Sequence, residues 1–156
     1  MNRFFKLLFL VLICEGIGFL GTIFTIPSIA TWYATLNKPI FNPPDFIFAP
    51  VWTTLYFLIG LSLFLILEKK LKKDKNKILV IFSLQLLFNF LWSFIFFGLH
   101  NPIFAFVDIA MLWATIVLLI YEFWKHSKLA SLLLVPYLLW VSFASFLNLS
   151  IIALNR

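Results

Sequence analysis

Residues Ile78 to Leu99 read ILVIFSLQLLFNFLWSFIFFGL, an unbroken run without one charged side chain. As a helix rising 1.5 Å per residue it would be about 33 Å long, enough to cross the roughly 30 Å of hydrocarbon in a bilayer. It lacks the period-2 alternation of a lipid-facing barrel strand. In hydrocarbon every backbone N–H and C=O must find its partner within the segment, so a helix is the conformation to expect. Within the run Gln85, Asn89 and Trp92 fall at i, i+4 and i+7, with Phe96 one turn further, so one face of this helix carries polar and aromatic groups. A membrane-crossing helix with such a face needs other protein beside it.

Four further stretches have the same character: Phe4 to Ile26, Ala49 to Leu67, Pro102 to Trp124 and Leu129 to Leu154. The reading is an all-α membrane protein, a five-helix bundle forming one domain over residues 1–156, with a folded loop between helices 1 and 2. Composition agrees. Of the 156 residues 63% are hydrophobic and 12% charged, against about 25% charged in soluble domains. A soluble domain of this length buries only about 70% of its unfolded surface, which would leave much of the Phe, Leu and Ile facing water. No internal repeat suggests a solenoid.

The net charge of +6 comes from short basic runs between apolar segments, not from a basic face, so nucleic acid is not an expected partner. These runs report topology instead. Arg3, Lys6, Lys69, Lys70, Lys72, Lys73, Lys75, Lys77, Lys125 and Lys128 fall on one side, while Lys38 and Arg156 fall on the other. The N-terminus is therefore expected in the cytoplasm of a cell-membrane protein, with the first loop and the C-terminus outside. Bulky Ile13 before Cys14 argues against cleavage of the first span as a leader. The lone Cys14 excludes an intramolecular disulfide, and no Cys/His spacing suggests a metal.

Polar groups at membrane depth need partners. Glu15 reads equally as a ligand-handling carboxyl and as a hydrogen-bonded packing residue; Asp108 reads as structural, because it follows the Asn101-Pro102 turn. Asn89 and Trp92 suit a ligand, and Gln85 suits helix-to-helix bonding. The last span presents a second stripe, Trp140, Ala144, Leu147 and Asn148, in which Ala144 leaves room. Trp52 and Tyr56 lie one turn apart in the second span. Trp113 and Trp124 fit an interfacial belt, and Gly16, Gly18 and Gly21 fit close helix packing. Above the helix ends, Pro27 to Phe48 is too apolar and too rich in Pro and aromatics for a free loop, so it should fold back as a lid. Such walls describe a pocket for a flat, largely apolar ligand oriented by a few polar groups. No catalytic triad, nucleophilic Cys, phosphate-binding loop or carboxylate pair accompanies them.

Several segments carry a family resemblance: WYATLNKP at residues 32–39 with NPP at 42–44, APVWTTLY at 49–56, Gln85-Leu86 with Asn89, Trp92 and FFG at 96–98, and Pro136-Tyr137 with Trp140, Phe143-Ala144 and Leu147-Asn148. In order and spacing they resemble the TspO/MBR family, the tryptophan-rich sensory and translocator proteins, also known as peripheral-type benzodiazepine receptors. The resemblance implies a homodimeric bundle that binds protoporphyrin IX, haem and benzodiazepine-type or isoquinoline carboxamide compounds. It requires no cofactor. It places the pocket among the helices under the first loop, lined by Trp32, Tyr33, Ala49, Trp52 and Tyr56, by Asn89 and Trp92, and by Trp140, Ala144, Leu147 and Asn148. It also implies light- and oxygen-dependent breakdown of the porphyrin, with Trp52 and Trp140 as the participating indoles, or sensing of it; transport of tetrapyrroles or similar lipophilic compounds is the alternative. The cholesterol pattern of animal members is not matched, because residues 147–152 lack its Tyr.

Overall fold

The computed structural model describes residues 2–71 and 73–156. Lys72, one of the cations counted toward orientation, lies outside the described residues. Five helical stretches among them are long and apolar enough to cross a membrane. The first is α1, Arg3–Ile29, capped by Asn2, whose side chain accepts a hydrogen bond from the Phe4 amide. A four-residue helix α2, Trp32–Thr35, follows within the loop. A 3₁₀ turn over Asp45–Ile47 leads directly into α3, Phe48–Leu67. Then come α4, Asp74–Ser93, continued by a π-helical turn over Phe94–Gly98, and α5, Pro102–Trp124. The short α6, Lys128–Leu132, and α7, Val135–Leu154, complete the chain.

Several boundaries differ from the expected ones for identifiable reasons. Helix α1 runs past Pro27 to Ile29, because a proline near a helix end forfeits one backbone bond without stopping the last turn. Helix α4 begins at Asp74, not Ile78; hydropathy marks where the chain enters hydrocarbon, whereas the charged first turn is already helical. The last span is broken, not continuous. Pro136 sits in the first turn of α7 and has no N–H to bond back to Leu132, so the chain turns at Leu133 and Leu134 before the helix resumes.

At the end of the bundle where α1 starts, the packing is dense. Ile59, Ile66, Ile78, Leu119, Phe123, Ala130 and Leu134 are all fully buried. Gly60 of α3 lies so close to α1 that an added Cβ would come within 2.7 Å of the Val11 Cα, and the Ser62 hydroxyl donates to the Ala130 carbonyl at 2.6 Å. Charges ring this end. Glu68 accepts from Lys6 at 2.7 Å and Arg3 at 3.0 Å, and the buried Glu122 accepts from Lys77 at 2.6 Å and Lys125 at 2.9 Å.

Candidate functional site

Toward the opposite end the helices enclose a cavity of about 380 Å³, within the roughly 300–1,000 Å³ usual for small-molecule sites. Its walls come from four helices. Helix α1 contributes Glu15, Gly18 and Thr22; α3 contributes Ala49, Trp52 and Tyr56; α4 contributes Asn89 and Trp92; and α7 contributes Trp140, Ala144, Leu147 and Asn148. Phe19 and Ile26 of α1 also border the cavity, yet they are 71% and 67% exposed. The cavity is therefore open toward the lipid-facing side of α1.

The polar stripe of α4 is tied into a chain of hydrogen bonds that crosses the bundle. Tyr56 donates its hydroxyl proton to Asn89 Oδ1. The Asn89 amide donates to the Tyr137 hydroxyl at 2.7 Å, and Tyr137 in turn donates to Gln85 Oε1 at 2.9 Å. Trp92 Nε1 donates to Asn148 Oδ1 at 3.1 Å, and the Asn148 amide donates to the Pro102 carbonyl at 2.8 Å. These amides thus hold α3, α4, α5 and α7 in register while their flanks face the cavity. Gln85 and Asp108 are buried but border no part of it. Gly18 serves the site directly, because a Cβ there would come within 2.3 Å of the Tyr56 ring.

The aromatic wall has its own geometry. Trp52 and Trp140 meet edge to face at 6.4 Å and 88°, Trp52 leans on Tyr56 at 5.6 Å, and Trp92 stacks on Phe96 at 5.0 Å. The π turn explains how Phe96 and Phe97, neighbours in sequence, both face inward. Its wider loop closes through the Leu99 amide onto the Phe94 carbonyl at 2.9 Å, inserting one extra residue into the turn. Nothing in the sequence signals that insertion. Trp140 Nε1 is buried and has no acceptor among the described residues.

The loop covers this end as expected. Asn37 and Asn155 exchange hydrogen bonds that fix it to the end of α7, Phe41 stacks on Phe146 at 5.3 Å, and Lys38 Nζ donates to the Tyr33 carbonyl at 2.7 Å. Tyr33 turns inward and borders the cavity, and its hydroxyl donates to Asn42 Oδ1 at 2.8 Å. Burial and the nearby Asp45 carboxylate, opposed by the Asn42 bond, push its phenol up to about 12, so it remains a neutral donor at any physiological pH. Trp32, read as a lining residue, points elsewhere. Its ring stacks on His100 at 4.5 Å and meets Phe96 edge-on at 5.5 Å, because adjacent residues in the single turn of α2 project in different directions. His100 takes a left-handed conformation with φ of 52°, closing the turn into α5.

Along the chain, residues 10–154 match the TspO/MBR family. The chain belongs to that family. It is 49% identical over 145 residues to the tryptophan-rich protein TspO of Chlorobaculum tepidum, covering 92% of this chain and 91% of that protein. It is 48% identical over 150 residues to the tryptophan-rich protein TspO of Archaeoglobus fulgidus, covering 96% and 97%. The translocator protein of Homo sapiens is 35% identical over 133 residues, covering 83% of this chain and 78% of that protein. This TspO/MBR chain is a multi-pass membrane protein. Of the eleven lining positions that the resemblance suggested, all except Trp32 border the cavity. Reading the sequence did not single out Asp45, Phe48, Thr25 or Ser93, which border it as well; small hydroxyls and a lone loop acid carry no periodic signal of their own.

Proposed function

We propose that the cavity binds a flat, largely apolar tetrapyrrole of the protoporphyrin IX or haem type, and that the protein senses the bound ring or promotes its light-dependent oxidative breakdown. What supports this most is the pair of perpendicular indoles, Trp52 and Trp140, in the cavity wall. Aromatic faces and edges stabilise a planar ring through offset and edge-to-face contacts. A porphyrin excited by light passes its energy to dioxygen, and the activated oxygen adds to an electron-rich double bond close by. Indoles at the ring's edge are the readily oxidised groups that would steer that addition, with no acid–base pair required. Benzodiazepine-type and isoquinoline carboxamide compounds fit the same apolar description. Two copies of the chain form the working unit in this reading, with the N-terminus in the cytoplasm and the loop and C-terminus outside.

Titration of the purified protein with protoporphyrin IX in the dark and under illumination tests the proposal. Quenching of Trp fluorescence in the dark and a distinct tetrapyrrole product in the light are expected. Replacing Trp52→Phe together with Trp140→Phe should retain binding and abolish the product; normal product formation by the double variant would remove those indoles from the chemistry. One observation favours a second reading, transport of a lipophilic compound: Phe19 and Ile26 leave the cavity open beside α1. Flux across vesicles with and without the protein separates the two.

A further inference from the structure

Glu15 is half-buried near the middle of α1, borders the cavity, and has no hydrogen bond or ion pair among the described residues. Other polar groups of the inner wall are engaged, Tyr56 with Asn89, Asn89 with Tyr137 and Trp92 with Asn148, whereas Trp140 Nε1, a neutral donor, is also without a partner among the described residues. Among the described residues the one other ionisable carboxyl on the lining is Asp45, at the exposed mouth under the loop, and none of the lining residues is Lys, Arg or His. The basic groups among the described residues lie elsewhere. Arg3, Lys6, Lys77 and Lys125 are held by Glu68 and Glu122 at the far end of the bundle, and Lys38 is held by loop carbonyls. A carboxyl at this depth is costly unless something pairs with it, and no described side chain does. An anionic group brought beside it would add to that cost, whereas an ammonium or N–H donor would offset it.

We propose that Glu15 selects the charge of the ligand: the cavity takes ring compounds whose inward edge is neutral or cationic and carries an N–H or ammonium donor, and it disfavours rings bearing carboxylates at that edge. The inference rests on the reading of the cavity as a site for flat ring compounds. Dicarboxylate porphyrins then bind with their acids kept toward the mouth, and forms with those acids masked bind more tightly.

The test uses full-length protein in nanodiscs of zwitterionic lipid. Three forms of one ring are titrated by Trp quenching in the dark: protoporphyrin IX, its dimethyl ester, and the diamide whose side chains end in trimethylammonium groups. In the native chain the cationic form is expected to bind about tenfold more tightly than the diacid, a ratio worth about 1.4 kcal/mol. With Glu15→Gln the two should come within about twofold of each other, while Asp45→Asn, at the exposed and better-screened mouth, should shift the ratio less. Equal affinity for diacid and cation in the native chain overturns the proposal, as does a preference unchanged by Glu15→Gln or altered more by Asp45→Asn. Ala144→Phe, which fills the cavity, separates this failure from failure of the site itself. If none of the three forms binds, or if Ala144→Phe leaves all three bound, the cavity is not the site and the selectivity falls with it; if Ala144→Phe removes all three, the site stands and the charge ratio decides.

Discussion

The two ends of the bundle solve the problem of packing five helices in opposite ways. Where α1 begins, aliphatic side chains interdigitate and Gly60 lets α1 and α3 touch backbone to backbone. Where α1 ends, large rings face one another across open space, and the π turn pushes Phe96 and Phe97 inward without filling it. Polar groups follow the same division. The packed end holds its buried Glu122 with two lysines at its rim, both on Oε1, whereas the open end uses the neutral chain Tyr56, Asn89, Tyr137 and Gln85. A void lined by large, stiff rings needs a firmly closed base, or the helices would slide together and remove it. The packed end provides that base.

The largest expected effect belongs to Gly60 at the packed end. Gly60→Ala puts a methyl within 2.7 Å of the Val11 Cα, and backbone on both sides leaves nothing that can rotate away. The expected loss is about 3 kcal/mol, the upper part of the range for overpacked cores, read from unfolding of the purified protein in increasing denaturing detergent. Gly16→Ala is the control, since no described atom lies within 4 Å of the added one; it should leave stability unchanged or raise it by up to about 1 kcal/mol, the helical advantage of Ala over Gly. Equal stability of the two variants would mean that α1 is not fixed at Gly60.

At the open end the largest effect should come from Asn89. Asn89→Leu removes the acceptor of the buried Tyr56 hydroxyl, whereas Tyr137 keeps its bond to Gln85. A buried hydroxyl stranded in this way costs about 1–3 kcal/mol. Adding Tyr56→Phe deletes the stranded group, so the double variant should recover part of the loss in the same unfolding assay. Simple addition of the two single effects would show that the chain of hydrogen bonds does not couple α3 to α4.

How far the sequence could be read differs between the ends in the same way. Hydropathy alone locates all five spans, because lipid imposes one rule on every residue that crosses it. The stripe of Asn89 and Trp92 and that of Trp140, Ala144 and Asn148 are visible because helical period is regular. What stays hidden depends on local departures from that period: the π turn at Phe94–Gly98, the break before Pro136, and the direction of Trp32 in a helix of one turn. Partners are hidden too. That Asn89 joins Tyr56 to Tyr137, and that Glu15 is left with none, follows from which helices become neighbours, and no one helix encodes that. Gly16, expected to permit close helix packing, has nothing within 4 Å of an added Cβ among the described residues, whereas Gly60, which the sequence did not mark, is pressed against the backbone of α1.

The smallest expected effect belongs to the rim of the packed end. Glu68 is held below the ordinary carboxylate value of 4.5 chiefly by the hydrogen bond from Lys6, against some burial, with the charges of Lys6 and Arg3 adding to it. A carboxyl depressed in the folded state contributes stability above its unfolded value, and that contribution disappears as pH falls through the lower folded value. Glu68→Gln should therefore be slightly less stable than the native chain at neutral pH and indistinguishable from it in strong acid, the gap closing progressively below about pH 4.5. Because the pair lies at the water-facing rim, added salt should narrow the neutral-pH gap as well. A gap that persists in acid would assign Glu68 a packing role at the start of α1 and make this rim part of the rigid base, not merely its border.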